Sequence, residues 1–169
     1  MVKNNRNIVL ILDNIRSAHN VGSLFRTAEG LGLRKIYLCG ITPYPKVLND
    51  SRLPHQILKA TKQIDKTALG SVDLISYDYY KEALKLVNEL KKDNYLILAL
   101  EQAKDSIFLD QIKTSSSKIA LIVGNEINGV EQKVLNSCHH IIEIKMFGKK
   151  ESFNVVQAAA MALFYFTLF

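Results

Sequence analysis

The run IALIVGNEINGVEQKVLNSCHHIIEIKMFGKKESFNVVQAAA, residues 119–160, decides the fold. It opens on an apolar stretch, 119–123, rich in branched side chains, the pattern of a strand buried on both faces of a parallel sheet. Gly124, Asn125, Glu126, Asn128 and Gly129 follow at once. The chain therefore turns where a buried strand ends, which is where open α/β sheets hold their ligands. A second strand, 141–145, runs into Gly148, Lys149, Lys150, Glu151 and Ser152, and Ser152 or Asn154 is placed to cap the apolar helix that begins beside them. Two glycine turns at two strand ends, with polar side chains between them and a helix behind, predict a small-molecule pocket. No GxGxxG run and no glycine loop ending in a lysine-serine or lysine-threonine pair is present, so the dinucleotide and nucleoside triphosphate fingerprints are both missing.

Upstream, the same alternation repeats. A buried strand, 8–12, leads into a polar loop with Asp13, Asn14, Arg16, Ser17, His19 and Asn20, then into a helix over 21–31. Val21, Leu24, Phe25, Ala28 and Leu31 recur at helical spacing and face the sheet, while Arg26 lies off that stripe in the second turn. Gly30 and Gly32 end the helix before a strand at 35–39. The loop 40–54, with Pro43, Pro45, Lys46 and Arg52, is long for a connection and a candidate functional or partner loop. A basic helix over 57–67 carries Lys59, Lys62 and Lys66, a solvated face or the lining of a nucleic-acid groove. There follow a strand at 72–76, an amphipathic helix at 79–92, a strand at 95–100 ending at Glu101, a short helix at 105–112 and a polar turn at 114–117. Alternation of this kind predicts an α/β fold with a mostly parallel sheet and helices on both faces. No repeat or linker divides it, so residues 1–169 are expected to form a single domain.

Composition agrees with a packed domain: 169 residues, 48% of them apolar and 22% charged, exclude a disordered chain. The net charge of +6 suits a polyanionic partner and equally a basic surface kept for solubility. Cys39 and Cys138 are far apart, without a CxxC spacing, and the tandem His139 and His140 would point to opposite faces of a strand. No metal site is expected. The cysteines read as reduced thiols of a cytoplasmic protein, and the polar start MVKNNRN reads as no signal peptide. The segment 153–169 is strongly apolar, but Asn154 and Gln157 interrupt it and no basic flank follows, so no membrane span is expected. Such a helix should be buried in the core or against another subunit.

Three segments together resemble the SPOUT superfamily of knotted methyltransferases and, within it, the TrmH (SpoU) branch of RNA ribose 2'-O-methyltransferases. DNIRSAHNVGSLFRTAEGLGL at 13–33 resembles the branch's motif of an asparagine and, six residues on, an arginine, here Asn20 and Arg26. ALIVGNEINGV at 120–130 is similar to its glycine, asparagine or glutamine, glutamate loop. IEIKMFGKKESFNVVQAAAMAL at 142–163 resembles its isoleucine-proline-methionine strand end and serine-leucine-asparagine helix start, and KTALGS at 66–71 looks like a further piece found in the branch. Lys145 stands where the family usually has proline, and Phe153 where it has leucine.

The resemblance covers nearly the whole chain. It implies a C-terminal trefoil knot, with the last third threaded through a loop. It implies S-adenosyl-L-methionine as cofactor, held by Leu100, by Gly124, Asn125 and Glu126, by Ile144 and Met146, and by Phe153. It implies methyl transfer to a ribose 2'-hydroxyl of tRNA or rRNA, with Asn20, Arg26, Glu126, Ser152 and Asn154 as the catalytic set, and a homodimer formed through the C-terminal helix, where residues 158–160 allow close approach. The family's extra RNA-binding domain has no counterpart in this sequence, so RNA contact is expected from the catalytic domain itself or with a partner. A non-catalytic RNA- or cofactor-binding module of the same fold is the alternative.

The chemistry assigns roles within that set. A guanidinium pairs bidentately with a phosphate and stays protonated, so Arg26 suits phosphate anchoring and electrostatic activation rather than proton abstraction. Asn20 either caps the helix that carries Arg26 or acts directly, and Glu126 either stabilises its turn or orients Arg26. Ser152 and Asn154 either contact substrate or cap the last helix. Asn14, Arg16 and His19 are expected to touch RNA.

Overall fold

Why the sheet has its centre where it does follows from two strands. In the computed structural model, which describes residues 6–168, β1 (Asn7–Asp13) and β6 (Lys118–Val123) are apolar on both faces and pair in parallel from Asn7 opposite Lys118 to Leu12 opposite Val123. Successive side chains of a strand alternate between faces. Ile8, Leu10 and Leu12 therefore enter one core and Val9 and Ile11 the other.

Around this pair stand β2 (Lys35–Cys39), β3 (Ser76–Tyr80), β4 (Leu96–Leu100), β5 (Ile107–Phe108) and β7 (His140–Glu143), in the order β3-β2-β1-β6-β4-β7-β5, every pairing parallel. The helices α1 (Ala18–Gly30), α2 (Pro54–Ala68) and α5 (Val155–Leu168) contribute to the first core, and α3 (Ala83–Lys92) and the single-turn α4 (Gln132–Leu135) to the second. The expected α/β fold, a parallel sheet covered on both faces, is what the chain adopts.

Several boundaries differ from the sequence reading. The expected strand at 72–76 is a tight 3-10 turn, Ser71–Asp73, followed by β3; Val72 and Ile75 are buried as an isolated pair rather than as a strand run. SYDYY forms the strand instead, because at the sheet edge polar and aromatic residues need bury only one side. Consequently α3 starts at Ala83, not at 79. The expected helix at 105–112 is the two-residue β5 followed by a 3-10 turn, Leu109–Gln111. Strand β7 stops at Glu143, two residues before 145.

Helices α1 and α2 touch through their backbones. A Cβ at Gly22 would run into the carbonyl oxygen of Ile64 and the hydroxyl of Thr67, so only glycine permits this crossing. Thr67 Oγ1 also donates to the carbonyl of His19 at 2.8 Å, pinning the end of α2 to the start of α1. The long connection 40–53 is folded around Arg52. Its guanidinium donates to Asp50 and to the carbonyls of Tyr44 and Pro45, and lies 3.5 Å from the Tyr44 ring centroid. Tyr44 in turn stacks on Tyr79 at 4.0 Å. Arg52 is thus engaged inside the loop, and it holds the Asp50 carboxyl well below the usual carboxylate range.

One face of α5 is buried at Ala159, Ala162, Leu163 and Phe166, while Met161, Phe164 and Leu168 are exposed. No helix among the described residues is long and apolar enough to cross a membrane. Both cysteines are free thiols. His139 is structural: its Nδ1 accepts from the backbone N–H of Ile97.

Candidate functional site

The adjacent strands β6, β4 and β7 all end at one cleft of about 560 Å3, within the size range of small-molecule sites. Leu100 and Val123 reach it from β4 and β6, and Glu143 and Ile144 from the end of β7. All of Leu100, Gly124, Asn125, Glu126, Ile144, Met146 and Phe153 line it, as do Ser152 and Asn154. The strand-end turns of the opening run and the segment before α5 therefore form one site.

The loop after β6 is held by its own main chain. The N–H of Asn125 donates to Gly129 O at 3.1 Å and the N–H of Gly129 returns to Asn125 O at 2.9 Å. The Asn125 side chain accepts from the N–H groups of Ile127 and Asn128 and donates to the carbonyl of Asn14 at 2.8 Å. Glu101 closes the ring by accepting from Val130 N–H at 2.9 Å. Gly124 has no room for a side chain, since a Cβ there would strike the carbonyl carbon of Gly129 and the nitrogen of Val130.

Glu126 accepts from the backbone N–H groups of Arg16 (2.9 Å) and Ser17 (3.2 Å) and from Asn20 Nδ2 (2.8 Å). Burial raises its pKa, but these donors outweigh it, and the carboxyl lies below its ordinary range. The contacts bear on alternatives that the sequence left open. Glu126 fastens the start of α1 to the cleft, and among the described residues no hydrogen bond or ion pair joins it to Arg26. Asn20 is not the cap: Ser17 is, its side chain accepting from Asn20 N–H, while Asn20 sits inside the first turn with its amide on Glu126. The reason is one of spacing, since the serine stands one residue before Ala18 and Asn20 two residues after it. Asn154 caps α5 through Oδ1, which accepts from Val156 N–H at 2.8 Å. Asn14 is half-buried, and its side chain is bonded to Asp13, Glu131 and the N–H of Ile41.

Arg26 is elsewhere. It is exposed on α1 in a second concavity of about 550 Å3, with Ser23, Thr27, Lys66, Thr67, Leu69 and Val156. Val155 and Ala158 line the cleft while Val156 lines this concavity, so the first turns of α5 are the wall between them. The two hollows differ in charge. Glu101, Glu126, Glu143 and Glu151 line the cleft, and none of its lining residues is basic. Polyphosphate is therefore a poor occupant, and a ligand bearing positive charge, such as the sulfonium and ammonium groups of S-adenosylmethionine, fits. Gln102, whose Nε2 donates to Glu151 O at 3.0 Å, joins the segment after β4 to the segment before α5. Sequence reasoning missed Gln102, Glu143 and Glu151 as lining residues; only the position of Glu101 at a strand end hinted at the acidic wall.

Asp13 lies beneath this scaffold. It is 2% exposed, with Oδ2 unpartnered among the described residues and Glu131 nearby, and burial followed by that charge pushes its pKa up to about 6. A carboxyl that titrates near 3.9 when unfolded and near 6 when folded costs no stability below about pH 4, where both states are protonated; the cost builds between about pH 4 and pH 6 and is full above that. Asp13→Asn, which keeps an acceptor for Asn14, should therefore be more stable than wild type by about 3 kcal/mol at pH 8. The advantage should fade toward pH 4 in chemical denaturation, and a gain independent of pH would contradict this account.

Among the described residues no group of three His, Cys, Asp or Glu side chains is placed to hold a metal ion.

Comparison with known proteins agrees with the geometry. The model of the SpoU rRNA Methylase family matches residues 7–164. A tRNA (guanosine(18)-2'-O)-methyltransferase of Borreliella burgdorferi is 28% identical over 93% of this chain and 64% of its own length. A 23S rRNA (guanosine-2'-O-)-methyltransferase, RlmB, of Neisseria meningitidis is 29% identical over 92% of this chain and 56% of its own. The chain thus spans only about 56 to 64% of the length of these relatives. The crystal structure of an AdoMet-bound rRNA methyltransferase from Sinorhizobium meliloti superposes with a TM-score of 0.77 at 21% identity, covering 98% of this chain and 57% of that one. Because that family model matches nearly the whole chain, residues 7–164, the chain belongs to the SpoU rRNA Methylase family.

Proposed function

We propose that the chain is a cytoplasmic S-adenosyl-L-methionine-dependent methyltransferase acting on a ribose 2'-hydroxyl of tRNA or rRNA. One observation carries this reading: an acid-lined cleft and a concavity holding Arg26 lie on opposite sides of one helix turn. A cationic methyl donor and a polyanionic acceptor need separate places of opposite charge that meet at one edge.

In this reading a cofactor held at the three strand ends would supply an electrophilic methyl for the ribose oxygen, the C–S electron pair staying with the departing thioether sulfur. The residues of the chain position the partners. Leu100, Gly124, Asn125, Ile144, Met146 and Phe153 hold the cofactor, largely through main-chain groups. Glu126 and Asn20 fix the start of α1, and so the direction in which Arg26 points. Arg26 grips the phosphate of the target nucleotide and stabilises negative charge developing on its hydroxyl. Ser152 and Asn154 stand at the cleft edge, Asn154 with its cap already made, and the acceptor proton leaves to solvent.

The exposed stripe Met161, Phe164 and Leu168 on α5, beside a hollow that also includes Arg26, Gly30 and Leu31, supports a homodimer through α5 that brings Arg26 to the subunit boundary. A monomer in sedimentation at micromolar concentration would remove this part. Residues 1–169 act in this reading as one catalytic domain, with the C-terminal third threaded as a trefoil knot.

The test is calorimetric titration with S-adenosylhomocysteine, followed by transfer of labelled methyl from S-adenosylmethionine to unfractionated tRNA and rRNA. One site per chain is expected, with melting raised by about 2.7 kcal/mol of stabilisation at a hundredfold excess of ligand over Kd. Binding without transfer to any RNA would favour the non-catalytic module, and no binding at millimolar ligand would remove the cofactor assignment.

A further inference from the structure

We infer that the concavity between α1 and α2 is a built phosphodiester site in which Lys66 is a second cation beside Arg26, and that the lysine face of α2 carries the neighbouring phosphates of the RNA. This deepens the methyltransferase reading and rests on it for the identity of the acceptor.

Four observations converge. First, Arg26 and Lys66 line one hollow together with Ser23 and Thr27, and no carboxylate lines it. Neither cation has an ion pair, and neither hydroxyl has a hydrogen bond, among the described residues. Two cations and two hydroxyl donors left unused in one hollow match the oxygens of a phosphate. Second, the hollow is rigid. The backbone contact at Gly22 and the bond from Thr67 to His19 fix α1 against α2, so the backbone positions from which Arg26 and Lys66 extend are set before any ligand arrives.

Third, Leu69 at its rim is held at φ 51, in the left-handed region, and is 66% exposed. That conformation makes Leu69 the C-cap of α2, its N–H donating to the carbonyl of Asp65, so the exposed side chain is fixed at the rim of the hollow. In the proposed site this side chain packs against the sugar of the bound nucleotide. Fourth, His55, Lys59, Lys62 and Lys66 follow at intervals of four, three and four residues, so they share one exposed face of α2 that ends at the hollow. A basic stripe leading to a two-cation hollow is the electrostatic footprint of a tracked nucleic-acid backbone.

The neighbouring cleft sharpens the assignment. Its lining includes four glutamates and no base, so an RNA phosphate is repelled there and is directed to the other side of α5.

The experiment compares wild type with Lys66→Gln, Lys66→Arg and Lys85→Gln, the last being an exposed lysine on α3 on the opposite face of the sheet. Binding of fluorescently labelled unfractionated tRNA is followed from 50 to 300 mM KCl, beside calorimetry with S-adenosylhomocysteine. Lys66→Gln should reduce the slope of log K against log salt by about 0.7 to 0.9, the loss of one phosphate contact. In transfer it should raise KM for RNA several-fold with kcat within about twofold, and Lys66→Arg should restore both. Cofactor affinity and melting temperature should not move. Equal slopes for wild type and Lys66→Gln, an equal loss in Lys85→Gln, or no binding of RNA by wild type would each overturn the site. If wild type transfers no methyl yet Lys66→Gln alone loses the slope, the phosphodiester site stands and the catalytic reading falls.

Discussion

Arg26→Ala is expected to bind S-adenosylhomocysteine as tightly as wild type and to transfer methyl about 1,000-fold more slowly, the scale of losing one preorganised charge stabiliser. The separation follows from geometry. Arg26 is absent from the acid-lined cleft and lies across α5 from it, so none of the residues proposed to hold the cofactor is disturbed. Nor should the fold suffer, because the side chain is exposed, unpaired among the described residues and replaced by the best helix former. Arg26→Lys should recover only part of the rate, since an ammonium keeps the charge but loses the planar fork that grips two phosphate oxygens. Near wild-type transfer by Arg26→Ala would take the residue out of the mechanism.

Gly124→Ala should have the converse profile, losing cofactor binding and stability together. The added Cβ meets backbone atoms of Gly129 and Val130, which cannot step aside without breaking the paired bonds between Asn125 and Gly129. Overpacking of this kind costs about 1 to 3 kcal/mol. At about 2 to 4 °C per kcal/mol for a chain of this size, melting should fall by about 2 to 12 °C. The glutamate and asparagine that follow Gly124 are displaced at the same time, so S-adenosylhomocysteine affinity should drop by at least about tenfold, a 1.4 kcal/mol loss. Gly148→Ala is the control, because a Cβ there meets nothing within 4 Å. Calorimetry and melting of both variants decide the matter, and a Gly124→Ala protein that binds normally would show that the loop can relax.

How much of this was legible beforehand depended on burial. The central strands announced themselves: 8–12 and 119–123 are continuous apolar runs because both of their faces are covered. The edges did not. SYDYY and the two-residue β5 carry too little apolar surface to register, and the buried Val72 and Ile75 gave a false strand. The cleft could be read at the level of its turns, since a buried strand that breaks into glycine and polar residues marks a sheet's ligand edge. Its acidic wall could not, because Glu101, Glu143 and Glu151 come from segments whose meeting depends on β4, β6 and β7 being neighbours. Of the two roles left open for Asn20, the cap belongs to Ser17 instead, because single-sequence reasoning sees several polar residues before a helix and cannot tell which one stands at its first free N–H. The division between the cleft and the hollow of Arg26 lay outside sequence reasoning altogether, since the wall between them is a helix more than 120 residues further along the chain.

Strand order also has a consequence for synthesis. β1 gains its second neighbour only when β6 arrives, about 110 residues later, and the cleft needs β7 and the segment before α5 as well. At translation rates of about 5 to 20 residues per second, the flank of Ile8 to Leu12 waits several seconds without its partner, an unpaired apolar edge on the nascent chain. The half-sheet β3-β2-β1 can form early and must then be held apart from other chains. Because the binding cleft is the last part assembled, a ligand cannot guide this early phase. It can only trap the finished molecule, so adding cofactor should rescue losses from unfolding but not losses that occur on the ribosome.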